Sequence, residues 1–418
     1  MYNFFRKVFS WDNIFATIFI FGIMWLFSTI KINSDALNPV QDMLGDFEIT
    51  DLVSSRIREE QAEDTNIVII NIGDLDREGI AQQIRIINSC DPKVIGIDSF
   101  FRRLKSSNPH GDSMLASAFA EAKNLVLVTK LHYNDTTRIF DSLETSHPIF
   151  VKNASAGSAN LITEGEEKFK TARVFSPFDT VLGRKMLIDT FFAVKLAEIY
   201  KPGSAKVVSD RKKDIEFIRY KGNIYGVKAK YFTIEAQDII DGNFLPELLK
   251  NKIILMGFLG NEIGNSENIW DVDKFFTPLN DKYVGKATPD MFGVVVHANI
   301  ISMILNKSFV NQSNKWIEYL ISIILCFISV VTFHFVLEWI PQLFDPFTKA
   351  IQLIAIVVLI YCEMVIYYKQ SFKIDLGIAL GAIALAPDLL EIYLHLVKKF
   401  VTFLVDKAYI TKKILKVK

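Results

Sequence analysis

Four long apolar stretches restrict what this chain can fold into more than any other feature of the sequence. A helix that crosses the hydrocarbon core of a bilayer needs about 20 consecutive, mainly apolar residues. The stretch 13–30 contains no formal charge, and three further stretches follow the long polar middle of the chain, at 319–337, 350–368 and 376–397. The sequence therefore predicts a membrane protein with four transmembrane α-helices.

The charges beside these stretches predict the orientation of the chain. Arg6 and Lys7 precede the first stretch, and the segment 399–418 is rich in lysine. Basic residues favour the cytoplasmic side of a membrane, although the two short loops between the later stretches carry the opposite bias. We therefore expect both termini in the cytoplasm, an uncleaved first helix that acts as a signal anchor, and a tail that lies as a basic amphipathic helix on the lipid.

The segment between the first two stretches is long enough to fold as a separate domain. Hydrophobic residues make up 50% of the chain and the mean hydropathy is +0.25, which fits a membrane protein with a large water-soluble part. The expected boundaries are 1–32 for the first helix, 33–315 for an exported domain, 316–398 for three helices and 399–418 for the tail. A net charge of +0 gives no sign of nucleic-acid binding.

Cysteine usage agrees with an exported domain of bacterial type. Cys326 and Cys362 lie in apolar stretches, so Cys90 is the single cysteine of the exported segment, which cannot contain an internal disulfide. Exported domains without disulfides are more usual in bacteria than in animals. We therefore expect a location in the bacterial inner membrane, with the exported domain in the periplasm.

Apolar strands alternate with helical patterns in the exported segment. Strands that are apolar on both faces and alternate with helices are typical of a parallel sheet with crossover helices. The fold class predicted is α/β, with a mostly parallel or mixed sheet. Buried strands are predicted at 67–72, 93–101, 124–131, 251–260 and 293–296, helices at 77–89, 113–122 and 190–199, and mixed β-structure at 150–230.

Polar residues stand where several of these strands end. In open α/β sheets, binding sites form outside the carboxyl ends of the strands. Asp74, Asp98 and His297 occupy such positions, together with Gly257 and Gly260. We therefore expect these residues to line one crevice.

The same segments, in order, resemble a known family. The resemblance is to the second class of CHASE domain, the cyclase/histidine-kinase-associated sensory extracellular domain, and covers about 1–400. Its landmarks are the strand ending in Asp74, VIGIDSFF with Asp98, the segment 156–178, the helix motif FFAVKLAE, FIRYKGN with Gly222, LKNKIILMGFLG with Gly257, FFTPL with Thr277 and Pro278, and GVVVHANIISMIL with Gly293 and His297.

The resemblance implies environmental sensing, with ligands that are generally undefined in the family. The sequence departs from the family pattern at DREGIAQQIR, where a Trp-Pro-aromatic-Arg start to the first helix is usual, and at Met291–Phe292, where the family has Pro before Gly293. Members usually continue into a cyclase, kinase or other output domain. The expectation here is a sensor without a fused output domain.

Each candidate ligand-binding residue has a structural alternative. His297 is interpreted either as a group that titrates or bonds a ligand, or as the anchor of the helix that leads to the second span. Asp98 and Asp74 are interpreted either as ligand-binding groups or as residues that cap the backbone N–H groups of the turns that follow them. Asp273, with Asp271, is a candidate oxygen ligand, although loop aspartates are more often solvated. We expect no metal and no cofactor.

Two further ligand candidates lie in the family motifs. Arg219 is suited to an anionic ligand or to an ion pair within the sheet, and Thr277 joins the predicted binding set. Structural or hinge roles are predicted for four positions. They are Gly222, Gly257, Pro278 and Gly293.

Ionisable residues inside the predicted spans need an explanation, because charge is costly in lipid. His334, Glu363 and Asp388 are interpreted as groups that face each other or a partner helix, with an ion or proton path as the minor alternative. Gly377 and Gly381 form a GxxxG pattern, which allows close packing of helices.

The sequence contains no catalytic signature: 257–267 is rich in glycine but contains neither GK[ST] nor GxGxxG. We therefore expect no enzymatic activity. The function predicted is a sensor or adaptor subunit that binds a ligand or an envelope protein and relays its state to a separate protein partner. The alternatives are a constitutive structural subunit of an envelope or secretion complex, and a transport component. The expected partners are the lipid membrane and a cytoplasmic output protein or envelope complex, and self-association stays open.

Overall fold

The computed structural model describes residues 2–29, 48–164, 171–182, 186–263, 273–280 and 288–403. The chain divides into two compact units. The first unit combines Met1–Pro39 with Asn311–Lys418, and the second is Val40–Val310. Most of the predicted amphipathic tail, from residue 404 onward, lies outside the described residues.

The strands and helices are numbered here in chain order. The strands are β1 Asp64–Asn71, β2 Val94–Ile97, β3 Leu125–Asn134, β4 Ile139–Glu144, β5 Ser155–Ser158, β6 Ile162–Glu164, β7 Thr171–Phe175, β8 Phe178–Leu182, β9 Met186–Thr190, β10 Glu216–Phe217, β11 Tyr231–Ile234, β12 Ile253–Gly257, β13 Lys274–Phe275, β14 Met291–Phe292, β15 Asn311–Gln312 and β16 Phe372–Lys373. The α-helices are α1 Tyr2–Val8, α2 Trp11–Thr29, α3 Ile49–Leu52, α4 Arg77–Ser89, α5 Pro109–Glu121, α6 Pro148–Val151, α7 Phe192–Tyr200, α8 Ser204–Ser209, α9 Ala236–Asp241, α10 Gly293–Leu305, α11 Lys315–Trp339, α12 Phe344–Gln370 and α13 Gly377–Ile392. Shorter π-helical segments are Val53–Ile57 and Tyr393–Val397, and 3₁₀ turns are Gly226–Lys228, Pro246–Leu248 and Pro341–Leu343.

A nine-stranded sheet forms the centre of the second unit. Its strand order is β11-β1-β12-β2-β3-β4-β8-β9, and β5 also pairs with β3. The strands from β11 to β3 are parallel, and β5 is parallel to β3, whereas β3–β4 and β8–β9 are antiparallel. The predicted α/β fold with a mixed sheet is therefore confirmed.

Helices cover both faces of the parallel part of the sheet. On one face α7 and α10 pack against inward side chains such as Ile67 and Leu255, and on the other α4 and α5 pack against Ile70 and Ile254. A strand buried on both faces needs apolar residues at consecutive positions, which is why the apolar runs in the sequence identified these strands.

The predicted strand at 293–296 is wrong. Only Met291–Phe292 is extended, and α10 begins at Gly293. Every residue from Gly293 to Ile304 is buried, so the segment is apolar all round, and a short run of valines cannot be told from a buried strand by periodicity. His297 therefore lies one turn inside a helix and not at a strand end.

The first unit contains the four predicted spans. In the described part of the chain, four helical segments are long and apolar enough to cross a membrane: Phe5–Thr29, Lys315–Trp339, Pro341–Gln370 and Gly377–Phe403. Ala16, Ile20, Cys326, Val330 and Ala386 belong to their common core.

Pro387 lies inside α13, and its helix continues because a neighbouring helix supplies a hydrogen bond. A proline cannot donate to the carbonyl four residues earlier, which here belongs to Ile383. The side-chain amide of Gln352 on α12 donates to this oxygen at 3.1 Å and also to the oxygen of Ala384. Buried polar groups at membrane depth need such a partner.

Candidate functional site

The structure brings three of the predicted polar residues together at the carboxyl edge of the sheet. Asp98 follows β2, and its amide donates to the oxygen of Met256 at the end of β12. His297 on α10 places Nε2 at 3.9 Å from Oδ2 of Asp98. The charge of Asp273 also acts on Asp98. We call Asp98, Asp273 and His297 the carboxyl-edge cluster.

The imidazole of His297 is enclosed by aromatic rings. The ring centroids of Phe191 and Phe192 lie at 5.4 and 5.2 Å, and His297 is only 1% exposed. Its Nδ1 has no hydrogen-bond partner in the described part of the chain. Burial lowers the pKa of His297 to about 3, so the ring is neutral at physiological pH. This surrounding favours the interpretation of His297 as a helix anchor over titration near neutrality.

Asp98 is held as a neutral acid by the same environment. Burial, with a smaller contribution from the charge of Asp273, raises the pKa of Asp98 to about 8. The capping alternative for Asp98 finds no support, because its carboxyl group accepts no hydrogen bond from the described residues. A protonated carboxyl group and a neutral imidazole each provide one donor, together with acceptor atoms, for a polar ligand. No group of three potential metal ligands occurs among the described residues.

Other predicted members of this site have different surroundings. Asp74 is exposed in the turn after β1, and no hydrogen bond or ion pair joins it to Asp98 or His297. The cap of α4 is instead Asp76, whose side chain accepts from the amide of Gly79. The amide of Arg219 faces the sulfur of Met303 at 3.3 Å.

Thr277 and Pro278 belong to a turn that holds a partly buried acid, Asp290. The amide and hydroxyl of Thr277 donate to Asp290 at 2.8 and 2.6 Å, and the amide of Leu279 donates to Oγ1 of Thr277 at 3.2 Å. Burial raises the pKa of Asp290 to about 7 even though these bonds favour its charged form. The contacts of Thr277 are therefore those of a structural residue.

Two of the predicted structural glycines allow close approach of neighbouring groups. A Cβ at Gly257 would lie 2.7 Å from Cβ of Val294, so glycine lets α10 pack directly on the end of β12. A Cβ at Gly222 would overlap Cγ of Lys230 and lie 2.5 Å from the oxygen of Lys228. The amide of Gly293 donates to the oxygen of Asp273 at 3.0 Å, which starts α10 beside the carboxyl-edge cluster.

Asn71 organises the carboxyl edge and was not predicted from the sequence. This fully buried amide at the end of β1 accepts from the amides of Gly73 and Leu259, and it donates to Glu235 and to the oxygen of Gly260. A polar residue within an otherwise apolar strand was the signal that could have identified it.

A basic cavity at the opposite edge of the sheet was also missed. This cavity of about 200 Å³ lies where β1 and β11 begin, and we call it the amino-edge cavity. Its walls include Arg58, Glu60, Lys221, Lys228 and Lys230. Binding sites in open α/β sheets are expected outside the carboxyl ends of the strands, so that rule does not predict a cavity at their amino ends.

Ion pairs organise this cavity. Lys221 pairs with Asp64 at 3.0 Å, and Lys230 pairs with Glu60 at 2.9 Å. The chain reaches the cavity through α3, where the carboxylate of Asp51 pairs with the buried Arg173 at 2.5 Å. Helix α3 is thus fixed to the domain by an ion pair, and the residues after it line the cavity.

Helix α10 joins the two edges of the sheet. Beyond His297, the side chain of Asn299 accepts from the amides of Lys221 and Gly222 at 2.6 and 3.1 Å and donates to the oxygen of Gly222 at 2.9 Å. One turn later, Oγ of Ser302 donates to Asp64 at 2.5 Å. The helix therefore contacts the carboxyl-edge cluster near its start and the amino-edge cavity near its end.

The membrane unit contains a short connection that follows the domain in the chain. β15 and β16 are parallel, with the amides of Asn311 and Ser313 donating to the oxygens of Ser371 and Lys373 at 2.9 and 3.0 Å. Buried Glu318 accepts from the amide of Asp375 at 3.1 Å. We call 311–318 with 371–375 the connector, because it ties the start of the second span to the loop between the third and fourth.

The predicted intramembrane residues have separate partners. Nδ1 of His334 lies 2.6 Å from Oδ1 of Asn13 on α2, and Asp388 pairs with Lys349 at 2.9 Å. Glu363 is buried on α12. The structure thus gives His334 and Asp388 different partners, which does not favour a common ion path.

The two glycines of the GxxxG pattern have different neighbours. A Cβ at Gly381 would lie 3.3 Å from Cε of Met24 on α2, so Gly381 lies at a helix–helix contact. At Gly377 the nearest atom is a carboxylate oxygen of Asp375 in the preceding loop, at 3.2 Å. Among the described residues, Gly381 therefore contacts a neighbouring helix, whereas Gly377 contacts the loop before its own helix.

Comparison with known proteins identified a family. The family model of the CHASE2 domain matches residues 26–333. No curated protein matches the chain, and no solved structure matches it.

Proposed function

The chain belongs to the CHASE2 domain family of sensory extracellular domains, and we propose that it is a membrane sensor that relays the state of this domain to a separate protein partner. The proposed location is the bacterial inner membrane, with the domain in the periplasm and both termini in the cytoplasm. The proposal assigns binding and not catalysis to the domain.

The observation that carries the proposal is the placement of α10. This helix is buried along its length, contacts both edges of the sheet, and ends at Leu305, shortly before the connector and the second span in the chain. A change at either edge that altered the bonds of Asn299 or Ser302 would alter the packing of α10. A ligand shifts such an equilibrium by its difference in affinity for the two states.

The connector provides a route from α10 to more than one span. Strand β15 begins six residues after Leu305 in the numbering, and it pairs with the loop that joins the third and fourth spans. A displacement of 311–318 would therefore act on three transmembrane helices together. Switching elements of this kind are small segments with two discrete arrangements.

Hydrogen exchange of the connector tests the relay without knowledge of the ligand. Asn299→Ala removes the bonds from α10 to Gly222, whereas Asn306→Ala, on the same helix, removes bonds to Ser302 within that helix. In the full chain in lipid nanodiscs, we expect faster exchange of the Asn311 and Ser313 amides in Asn299→Ala only. Equal exchange in both variants and the native chain would contradict the relay.

Copurification from native membranes tests the proposed partner. We expect a cytoplasmic kinase, cyclase or other output protein in mass spectrometry of the complex obtained in mild detergent. Envelope or secretion components in fixed ratio, with no output protein, would support the structural-subunit alternative and end the sensory proposal.

A further inference from the structure

We propose that the amino-edge cavity binds a small carboxylate ligand, and that the side chain of Glu60 occupies the ligand's position when the ligand is absent. The inference rests on the proposed sensory function, for which it names the ligand class. Its basis is the asymmetry of one ion pair in a basic cavity.

The cavity is suited to a small anion by size and charge. Its volume of about 200 Å³ is below the range of roughly 300–1,000 Å³ typical of sites for drug-sized ligands. Four cations line it, against the carboxylates of Glu59 and Glu60. Arg58 donates to the oxygen of Tyr220 and Lys228 to that of Leu279, and these bonds hold both side chains at the wall of the cavity.

The Lys230–Glu60 pair is unequal in burial. The side chain of Lys230 is 8% exposed, whereas that of Glu60 is 75% exposed. A buried ammonium group requires an anionic partner, because an unpaired buried charge is strongly destabilising. An exposed carboxylate gains little from the same pair. Another carboxylate can therefore replace Glu60 at small net free energy, while Lys230 stays paired.

The second lysine of the cavity serves a different purpose. Lys221 is paired with Asp64, whose side chain is 2% exposed and also accepts from Ser302 on α10. Lys221 lines the cavity and forms its floor, and we expect this pair not to exchange because the carboxylate of Asp64 is enclosed. Gly222 has no side chain, and the side chain of Lys230 occupies the space that a Cβ at this position would fill.

The position of Glu60 connects binding to the relay. Glu60 lies in the segment that leads from the π-helical turn Val53–Ile57 to β1, and the floor of the cavity is bonded to Asn299. A ligand that takes the place of Glu60 releases the segment after the first span from Lys230. Residues 58–60 therefore line this cavity, and α10 is bonded to its floor.

Calorimetric titration of the full chain in nanodiscs with acetate, succinate and glutamate, at constant ionic strength with chloride as the control, tests the site. We expect at least one of the three to bind with a Kd below about 10 mM. Lys230→Gln should weaken binding by about tenfold or more, since a charge-assisted hydrogen bond is lost. Glu60→Gln should strengthen it by about threefold, since the internal competitor is removed.

The exposed pair Lys123–Asp91 provides matched controls, because its side chains are 68% and 54% exposed and joined at 2.6 Å. Lys123→Gln and Asp91→Asn should leave binding unchanged. Lys230→Arg, which keeps the charge, should retain binding and so separates loss of the site from loss of folding.

Three results would overturn the inference: no binding of any of the three carboxylates, binding that Lys230→Gln leaves unchanged, or weaker binding in Glu60→Gln. Each of these leaves the hydrogen-exchange test of the relay unaffected. Failure of the ligand site is therefore distinguishable from failure of the sensory function.

Discussion

The two edges of the central sheet handle ionisable groups in opposite ways. At the carboxyl edge, the described residues give Asp98 and His297 no oppositely charged partner, and burial shifts both pKa values toward the neutral forms. At the amino edge, Lys221 and Lys230 each form an ion pair with a carboxylate, that of Asp64 and that of Glu60. Burial of an ionisable group therefore does not by itself identify a site for charged ligands. The site also needs a buried charge whose partner can be replaced by the ligand.

The strongest test of this contrast removes a cation from the amino edge. Lys221→Met leaves Asp64 enclosed without its ion-pair partner, and we expect a loss of about 4 kcal/mol in the unfolding free energy of the domain. Exchange of the β1 amides measures it. Arg85→Met, which breaks the exposed pair with Glu121, is the control and should change stability by less than about 1 kcal/mol.

Close packing at the amino edge predicts the next effect. Gly222→Ala places a methyl group against Lys230 and the oxygen of Lys228, and we expect about 3 kcal/mol of destabilisation in urea unfolding followed by pulse proteolysis. Gly226→Ala is the matched variant, because Gly226 has a φ of +59° but no atom within 4 Å of its Cβ position. It should lose about 1 kcal/mol through backbone strain alone. Equal losses would show that the packing around Gly222 is looser than described.

The link between the edges predicts an intermediate effect. Asn299→Ala removes three bonds to Lys221 and Gly222 and should destabilise the domain by about 2 kcal/mol. Asn306→Ala should lose less than about 1 kcal/mol, since its bonds remain within one helix turn. Thermal unfolding of the full chain compares the two variants. A larger loss of stability in Asn306→Ala than in Asn299→Ala would contradict the importance of the bonds from Asn299 to Lys221 and Gly222.

A pH dependence tests the carboxyl edge. The folded pKa of Asp98, about 8, exceeds its ordinary value of 3.8, so its contribution to stability is complete below pH 3.8 and is lost as the pH rises toward 8. Asp98→Asn should therefore gain stability relative to the native chain between pH 5 and pH 8, by roughly 1 kcal/mol for each pH unit. Asp290, whose pKa is raised to about 7, contributes equally to the pH dependence of stability in the native chain and in Asp98→Asn.

His297 acts in the opposite direction and over a different range. Its folded pKa of about 3 lies below the ordinary 6.5, so its contribution is present above pH 6.5 and is lost as the pH falls toward 3. Stability curves at several pH values separate the two residues. Asp74→Asn is the control for Asp98, and an identical change in both variants would contradict the assigned burial of Asp98.

The sequence predicted the sheet well because its strands have a strong local signal. The runs that form β1 and β12 are apolar on both faces, and the predicted helix 77–89 has the bounds that the structure shows. The four spans were recognised for the same reason. The strand predicted at 293–296 failed because its valines satisfy a buried helix equally well.

The amino-edge cavity could not be predicted because its burial is produced by distant parts of the chain. Lys221, Lys228 and Lys230 stand in a polar stretch that is typical of a solvated loop. They are enclosed only when residues near Arg58, about 160 positions earlier, and α10 fold against them. Periodicity carries no information on such contacts.

The parallel pairing of β15 with β16 has a mechanical consequence. Asn311 follows the domain directly, whereas Ser371–Lys373 is held at both ends by α12 and α13. A force along the axis of β15 therefore loads the bonds of Asn311 and Ser313 in shear, so that both lengthen at once instead of opening in turn. A short connection loaded in this way resists a pull along the strand but opens easily to a force that peels it sideways, so it distinguishes the direction of a movement as well as its size.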